Sequence, residues 1–370
     1  MQNHWYKLLN QCIRLLRLTK VFLAMTLVLS FAIPSHAHGG ACGCSSLQGT
    51  GLAGPIITVP AYGMQPGTTS VSLGLGFHNS GRIAPNDLST LIKNNTHADD
   101  NYGSISPVLA VSHGFTDKFS MGISLPFIIS LDFREVHDGL EQLGDSIGFG
   151  DLMIMSKYKF YDNHRFQSAL LAGLELPTGA TKVVGDTGER FEALNQPGSG
   201  SFDPLFGIAF SKQFDKFGLD SNFLYKLATE GAQDTVTGDL AYYNIALSYA
   251  INHDHKDQFE HHHIEHDDHS GHGRFHRTLE QIFPEHVLGK HLSWDLILEA
   301  NTLWQEAPEV AGETIPNHGG TTVYLSPGLR MVMNDSWVYN LTVSLPVIQA
   351  LNGLQGGSDM QVSFSVATSF

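Results

Sequence analysis

From residue 68 onward apolar and polar residues alternate with a period of two, so successive side chains fall on opposite faces of a strand. Val71, Leu73, Leu75 and Phe77 alternate with Ser72, Gly74 and Gly76, and Phe119, Met121, Ile123 and Leu125 with Ser120, Gly122 and Ser124. The same rhythm recurs through Leu219, Phe223 and Tyr225, through Trp294, Leu296 and Leu298, and through Trp337, Tyr339, Leu341 and Val343. Each run lasts roughly ten residues, the length a tilted strand needs to cross a bilayer, whereas strands of soluble sheets are nearer five or six. The pattern predicts twelve antiparallel strands, with the alternation poorest over 104–113 and 203–211.

The connections sharpen that reading. Bacterial barrels have short turns on the periplasmic side and long loops outside. Residues 79–103, 131–148, 177–202, 304–320 and 347–358 read as long connections and 229–238 as one of middle length. Between them fall tight turns at 114–118, 161–165, 212–217 and 334–336. The expected fold is all-β: a transmembrane, antiparallel, up-and-down barrel of about twelve strands with both ends of the barrel chain on the periplasmic side. One connection breaks the rule, since 252–290 is the longest of all and parity puts it with the turns.

The segment before the barrel reads as an export signal. Residues 1–20 carry Lys7, Arg14, Arg17 and Lys20, an apolar run follows from Val21 to Ile33, and Ser35-His36-Ala37 has the small residues of a cleavage site. Cleavage is expected near Ala37, leaving a Gly-rich leader over 38–67 and the barrel over 68–370. The leader's Cys42 and Cys44 flank one glycine, too close for an unstrained disulfide. At the other end, Met360, Val362, Phe364, Val366 and Phe370 form an alternating strand that closes on an aromatic. It resembles the last strand of outer-membrane proteins, whose final aromatic is read by the barrel-assembly machinery. Membrane lipid and that machinery are therefore expected partners, and the outer membrane of a Gram-negative cell the expected location.

Charge and composition exclude the main rivals. Only 15% of residues are charged, against roughly 25% in soluble domains. With the four basic residues of the signal removed, 17 basic groups face 36 acidic ones, a balance of −19 that argues against nucleic-acid binding. No apolar run beyond residue 37 approaches the roughly 20 residues of a spanning helix.

Several short motifs resemble a known family. Gly148-Phe149-Gly150-Asp151, Leu176-Pro177-Thr178-Gly179, Gln196 to Asp203 (QPGSGSFD), Ser326-Pro327-Gly328-Leu329-Arg330 and Leu345-Pro346-Val347 are similar to the outer-membrane transporter family labelled "MetA-pathway of phenol degradation". The resemblance spans most of 54–370 apart from the insert. It implies an outer-membrane barrel loosely linked to the uptake of aromatic compounds.

Two residue sets are candidates for function. In the insert, His253, His255, His261, His262, His263, His266, His269, His272 and His276 are interleaved with Asp and Glu. Imidazole and carboxylate suit Zn²⁺, Ni²⁺ or Cu²⁺. A tract so polar cannot pack a core, so the insert is expected to be disordered, periplasmic and weakly metal-binding at several sites. No cofactor is required. The second set, Asp151, Lys157, Lys159, Glu175, Asp220, Lys226, Asp295, Glu299 and Arg330, has the parity opposite to the lipid face and is expected to line the lumen. These residues form either a selectivity filter or an ion-paired filling. An enzyme is not expected: Ser112 and His113 are adjacent and so point to opposite faces. The expected function is a channel or transporter for small solutes, with ties to transition metals or aromatic compounds. The alternative is a non-transporting, metal-sequestering or structural barrel.

Overall fold

The computed structural model describes residues 55–94, 98–136, 139–163, 165–251, 292–334 and 336–370. Twelve antiparallel staves close into a barrel. They are β1 (Thr69–Ser80), β2 (Gly103–Gly114), β3 (Phe119–Val136), β4 (Leu140–Phe149 continued by Leu152–Asp162), β5 (Phe166–Leu176) and β6 (Asp203–Gln213). Then follow β7 (Phe217–Lys226), β8 (Leu240–Ala250), β9 (Leu292–Gln305), β10 (Gly320–Met333), β11 (Trp337–Leu351) and β12 (Ser358–Ser369). Each stave pairs with its sequence neighbours, and β1 closes the ring against β12 from Ser70↔Ser369 to Ser80↔Ser358. Closure leaves no edge in the hydrocarbon layer.

Alternation decides which face is which. Lipid-side Leu247, Leu341 and Phe364 are 46%, 46% and 44% exposed, while Asp220 and Asp295 are 0% exposed and Glu299 1%. A soluble protein reverses this order. Apolar out and polar in is the arrangement of a lipid-embedded barrel.

The strands run further than the alternation implied in two places. Residues 131–148 are not a loop: β3 continues to Val136 and β4 starts at Leu140, and the two pair as a hairpin beyond the barrel (Val136↔Leu140, Arg134↔Gln142). The polar residues of that stretch hid it. Likewise β11 runs to Leu351, so the connection to β12 is only 352–357 rather than 347–358. A bulge sits at Val347, since Tyr324 pairs with Pro346 while Val323 pairs with Ile348. It falls beside a proline, which cannot donate to the ladder. The poorly alternating segments 104–113 and 203–211 lie within β2 and β6.

The 79–103 connection contains the helix α1 (Pro85–Asn94) and a short strand Ala98–Asp100 on the extended end of β3. Ile83, Leu91, Ala98 and Val136 pack there as a small apolar cluster. A second small sheet, Thr235–Val236 with Glu309–Val310 and Glu313–Thr314, joins two more long connections. All of these lie at one end of the barrel, the loop end. The tight turns lie at the other, where the chain also leaves β8 at Ile251 and returns at Leu292. The predicted signal segment 1–37 and the His-rich insert lie outside the described residues.

Candidate functional site: a lumen filled by residues 55–64

Of the predicted leader, residues 55–64 (PIITVPAYGM) lie inside the barrel. Nothing in their pattern forecasts it. The chain enters β1 at Thr69 after a turn in which the Gly67 N–H donates to the Gly114 carbonyl at 2.7 Å. Before that turn it runs from mid-lumen down to the turn end, with Ile56, Val59, Ala61, Tyr62 and Met64 all buried.

Two charged side chains hold this plug. Glu299 on β9 receives the N–H groups of Ile56 (2.5 Å), Ile57 (2.9 Å) and Thr58 (2.8 Å) and the Thr58 hydroxyl (2.7 Å). Three successive amides converging on one carboxylate are strong, charge-assisted contacts in a dry interior. On the opposite side, Lys157 on β4 donates from Nζ to the carbonyls of Pro60 and Tyr62, both at 2.8 Å. The Val59 N–H reaches Asn222 Oδ1 at 2.9 Å and the Ala61 N–H reaches Ser211 Oγ at 2.8 Å. Ser211 in turn donates to Asp220 at 2.5 Å.

Apolar contacts complete the seat. Val59 and Ala61 pack with Met155, Ala169, Leu171, Leu205, Ala209 and Leu224, and Ile56 and Ile57 pack with Ile297. These wall residues share the inward parity of the charged set, so the interior wall carries its own apolar patch. Gly328 is a point of close approach: a Cβ there would lie 2.6 Å from Ile56 Cδ1.

The predicted lumen residues divide among several jobs. Lys157 and Glu299 grip the plug, and Asp220 acts on it through Ser211. Arg330 and Asp295 are buried directly opposite each other on β10 and β9. Lys226 pairs with Glu175 at 3.1 Å and with Asp203 at 3.4 Å, bringing in an acid that parity reasoning passed over. Lys159 stays at the turn-end rim in an ion pair with Asp162. An asparagine ladder was also missed: Asn301 donates to Asn244, and Asn244 to Asn222, each at 3.3 Å. Its signal was legible, because all three share the parity of Asp220 and Glu299.

Asp151 serves the loops. It accepts from the Gly179 N–H (2.7 Å), the Ser199 N–H (2.6 Å) and the Ser199 hydroxyl (2.7 Å). Thr178 Oγ1 receives the Leu152 N–H, and a Cβ on Gly179 would lie 2.6 Å from the Gly198 Cα. Three motifs distant in sequence therefore knot together where β4 breaks at Gly150–Asp151. Ser112 is buried and His113 Nδ1 pairs instead with Thr69 Oγ1 at 2.9 Å. Among the described residues no group of three or more His, Cys, Asp or Glu could hold a metal ion. The nine histidines of the insert lie outside them.

That knot is made of the motifs on which the family resemblance rests. The family model described as "Putative MetA-pathway of phenol degradation" matches residues 125–277. The family resemblance is shown over that segment. The match takes in all three knotted motifs whole and the insert as far as residue 277, and is shorter than the span of 54–370 that the motifs implied. An outer membrane channel from Pseudomonas putida F1 has the same fold, with a TM-score of 0.53 at 11% identity over 84% of this chain and 98% of that one. The NanC porin aligns at a TM-score of 0.40 and 6% identity over 80% and 98% of the two chains, too loose to weigh. No curated protein sequence matches the chain. At such identities the likeness speaks for the fold alone: a twelve-stranded barrel of the outer-membrane type.

Proposed function

We propose that this protein is an outer-membrane channel for small solutes whose aperture is set by its own residues 55–64. The observation that carries the reading is the seat of the plug on the charged wall, set against the incomplete burial of the inward positions of β12. Ser363, Ser365 and Ala367, inward on β12, remain half-buried, as does Ser72 on β1 beside buried Ser70, Gly74 and Gly76, while Asp220, Leu224 and Glu299 under the plug are fully buried. A narrow path along β12 and β1 passes small solutes; displacement of the plug widens it. Single-channel recording in planar bilayers tests this. Small steps from the native protein and larger ones from Glu299→Ala support it, and the absence of steps from both refutes it.

The filled lumen also favours a second reading, a barrel that does not transport. The same recording separates the two. We also propose that the His-rich insert gathers divalent transition metal on the periplasmic side, as its imidazole and carboxylate content supports. Calorimetry with Zn²⁺, Ni²⁺ and Cu²⁺ on the native protein and on one lacking 256–276 decides it. The signal segment, assembly through the Phe370 strand, a non-enzymatic role and a tie to aromatic compounds belong to the same proposal.

A further inference from the structure

We infer that the wall beneath the plug is a binding cleft for an apolar peptide that bends around Glu299, and that residues 55–64 are its intramolecular occupant. This rests on the channel reading only in that the same cleft flanks the path. The cleft recognises main chain. Apart from the Thr58 hydroxyl, every polar contact named for the plug uses its backbone: amides 56, 57 and 58 on Glu299, amides 59 and 61 on Asn222 and Ser211, and carbonyls 60 and 62 on Lys157.

Three successive amides converge on one carboxylate because the backbone bends over 56–58 into an anion-binding concavity, and the alternate carbonyls 60 and 62 share one ammonium, a pairing that only a peptide main chain supplies. An ion would need only one of them, and a sugar's hydroxyls do not alternate donor and acceptor at that spacing. Position 60, whose carbonyl is used and whose amide is not, holds a proline. Side-chain demand is modest at two places, where the pocket of Ala169, Leu205, Ala209 and Leu224 takes Val59 and Ala61, and greater at Tyr62, which is buried among Asp220, Asp295 and Arg330. Glu299 and Lys157 are fully buried and grip the plug rather than each other, so a departing plug removes both hydrogen bonds named for Lys157 and strips Glu299 of its plug donors, leaving it the Asn301 amide. Another peptide that takes the same bend restores the main-chain contacts.

The test displaces the occupant and leaves the wall intact. In the full chain, Ile57→Pro with Thr58→Pro removes two amides that Glu299 receives. Ala61→Glu, which forces a charge into the apolar pocket, is the second variant should the first fail to show heat-modifiable mobility. The probe is a fluorescent decapeptide of sequence PIITVPAYGM, blocked at both ends, and its counterpart N-methylated at the residues matching 57 and 58. Anisotropy in detergent reads binding. The expected result is saturable binding to the variants, little to the native protein, and affinity about tenfold or more weaker for the N-methylated probe, as loss of one hydrogen bond to a buried charge implies. No binding, or equal binding of both probes, overturns the inference. Conductance of the same variants is read separately. If it stays at the native level the channel reading fails, while the anisotropy still decides the cleft.

Discussion

The two halves of the barrel wall differ more than their shared strand period implies. From β4 to β10 the inward positions carry Lys157, Glu175, Asp203, Asp220, Lys226, Asp295, Glu299 and Arg330, together with the apolar patch that seats Val59 and Ala61. On β12 and β1 the facing inward pairs are Ser363 with Gly76, Ser365 with Gly74 and Ala367 with Ser72, and none is charged. The charged wall is covered, whereas the β12 members of the neutral pairs are only half-buried and Gly74 and Gly76 on β1 are buried. Charges in a pore wall are therefore not all selectivity elements. Here the two at mid-height serve as handles for a segment of the same chain, and the path we propose runs along the serines of β12.

The largest expected effect follows from removing a handle. Glu299→Ala leaves three plug amides without an acceptor, each costing about 1–3 kcal/mol if it stays buried, so the plug should leave its seat. Single-channel conductance should rise severalfold. The uncovered wall, with Glu175, Asp203, Asp220 and Asp295 against Lys157, Lys226 and Arg330, should turn the reversal potential toward cations. A rise in conductance without that shift would break the distinction between the halves.

A contrast across the wall comes next. Phe223 faces lipid and Leu224, beside it, faces the plug. Phe223→Arg should cost about 2–4 kcal/mol if it lies near mid-depth, read as a lower urea midpoint for unfolding in lipid, whereas Leu224→Ala should loosen the plug and raise conductance. Smaller again is Gly328→Val, whose side chain must displace Ile56 at a cost of about 1–3 kcal/mol. It should speed proteolysis within 55–64 and leave heat-modifiable mobility unchanged. The smallest is Ser365→Asp on the neutral half, which should alter ion selectivity with almost no change in stability. If it changes nothing, the path does not run along β12.

The barrel was legible in the sequence because lipid and lumen impose a period of two on every spanning strand. That period marked Lys157, Asp220 and Glu299 as inward before any coordinates. It failed where its cause is absent. The β3–β4 hairpin over 131–148 stands clear of the bilayer, so Arg134 and Glu135 can occupy a strand without an apolar partner face. Residues 55–64 were unreadable for a different reason: an irregular segment held largely through its backbone leaves little trace in side-chain type. The knot at Asp151 was visible only as motifs, since the convergence of Gly179 and Ser199 on one carboxylate depends on contacts far apart in the chain. Asp203 was missed because β6 alternates poorly: Leu205 and Ala209 face inward to the plug beside polar Ser211.

The central claim, that residues 55–64 cover the charged wall and leave a path along the serines of β12, is tested most directly by thiol accessibility. With Cys12, Cys42 and Cys44 replaced by serine, Ser365→Cys and Asn222→Cys are each exposed to a small cationic methanethiosulfonate while current is recorded across a bilayer. Rapid modification at position 365 with protection at 222 is the predicted result. Equal rates at the two positions would contradict the account.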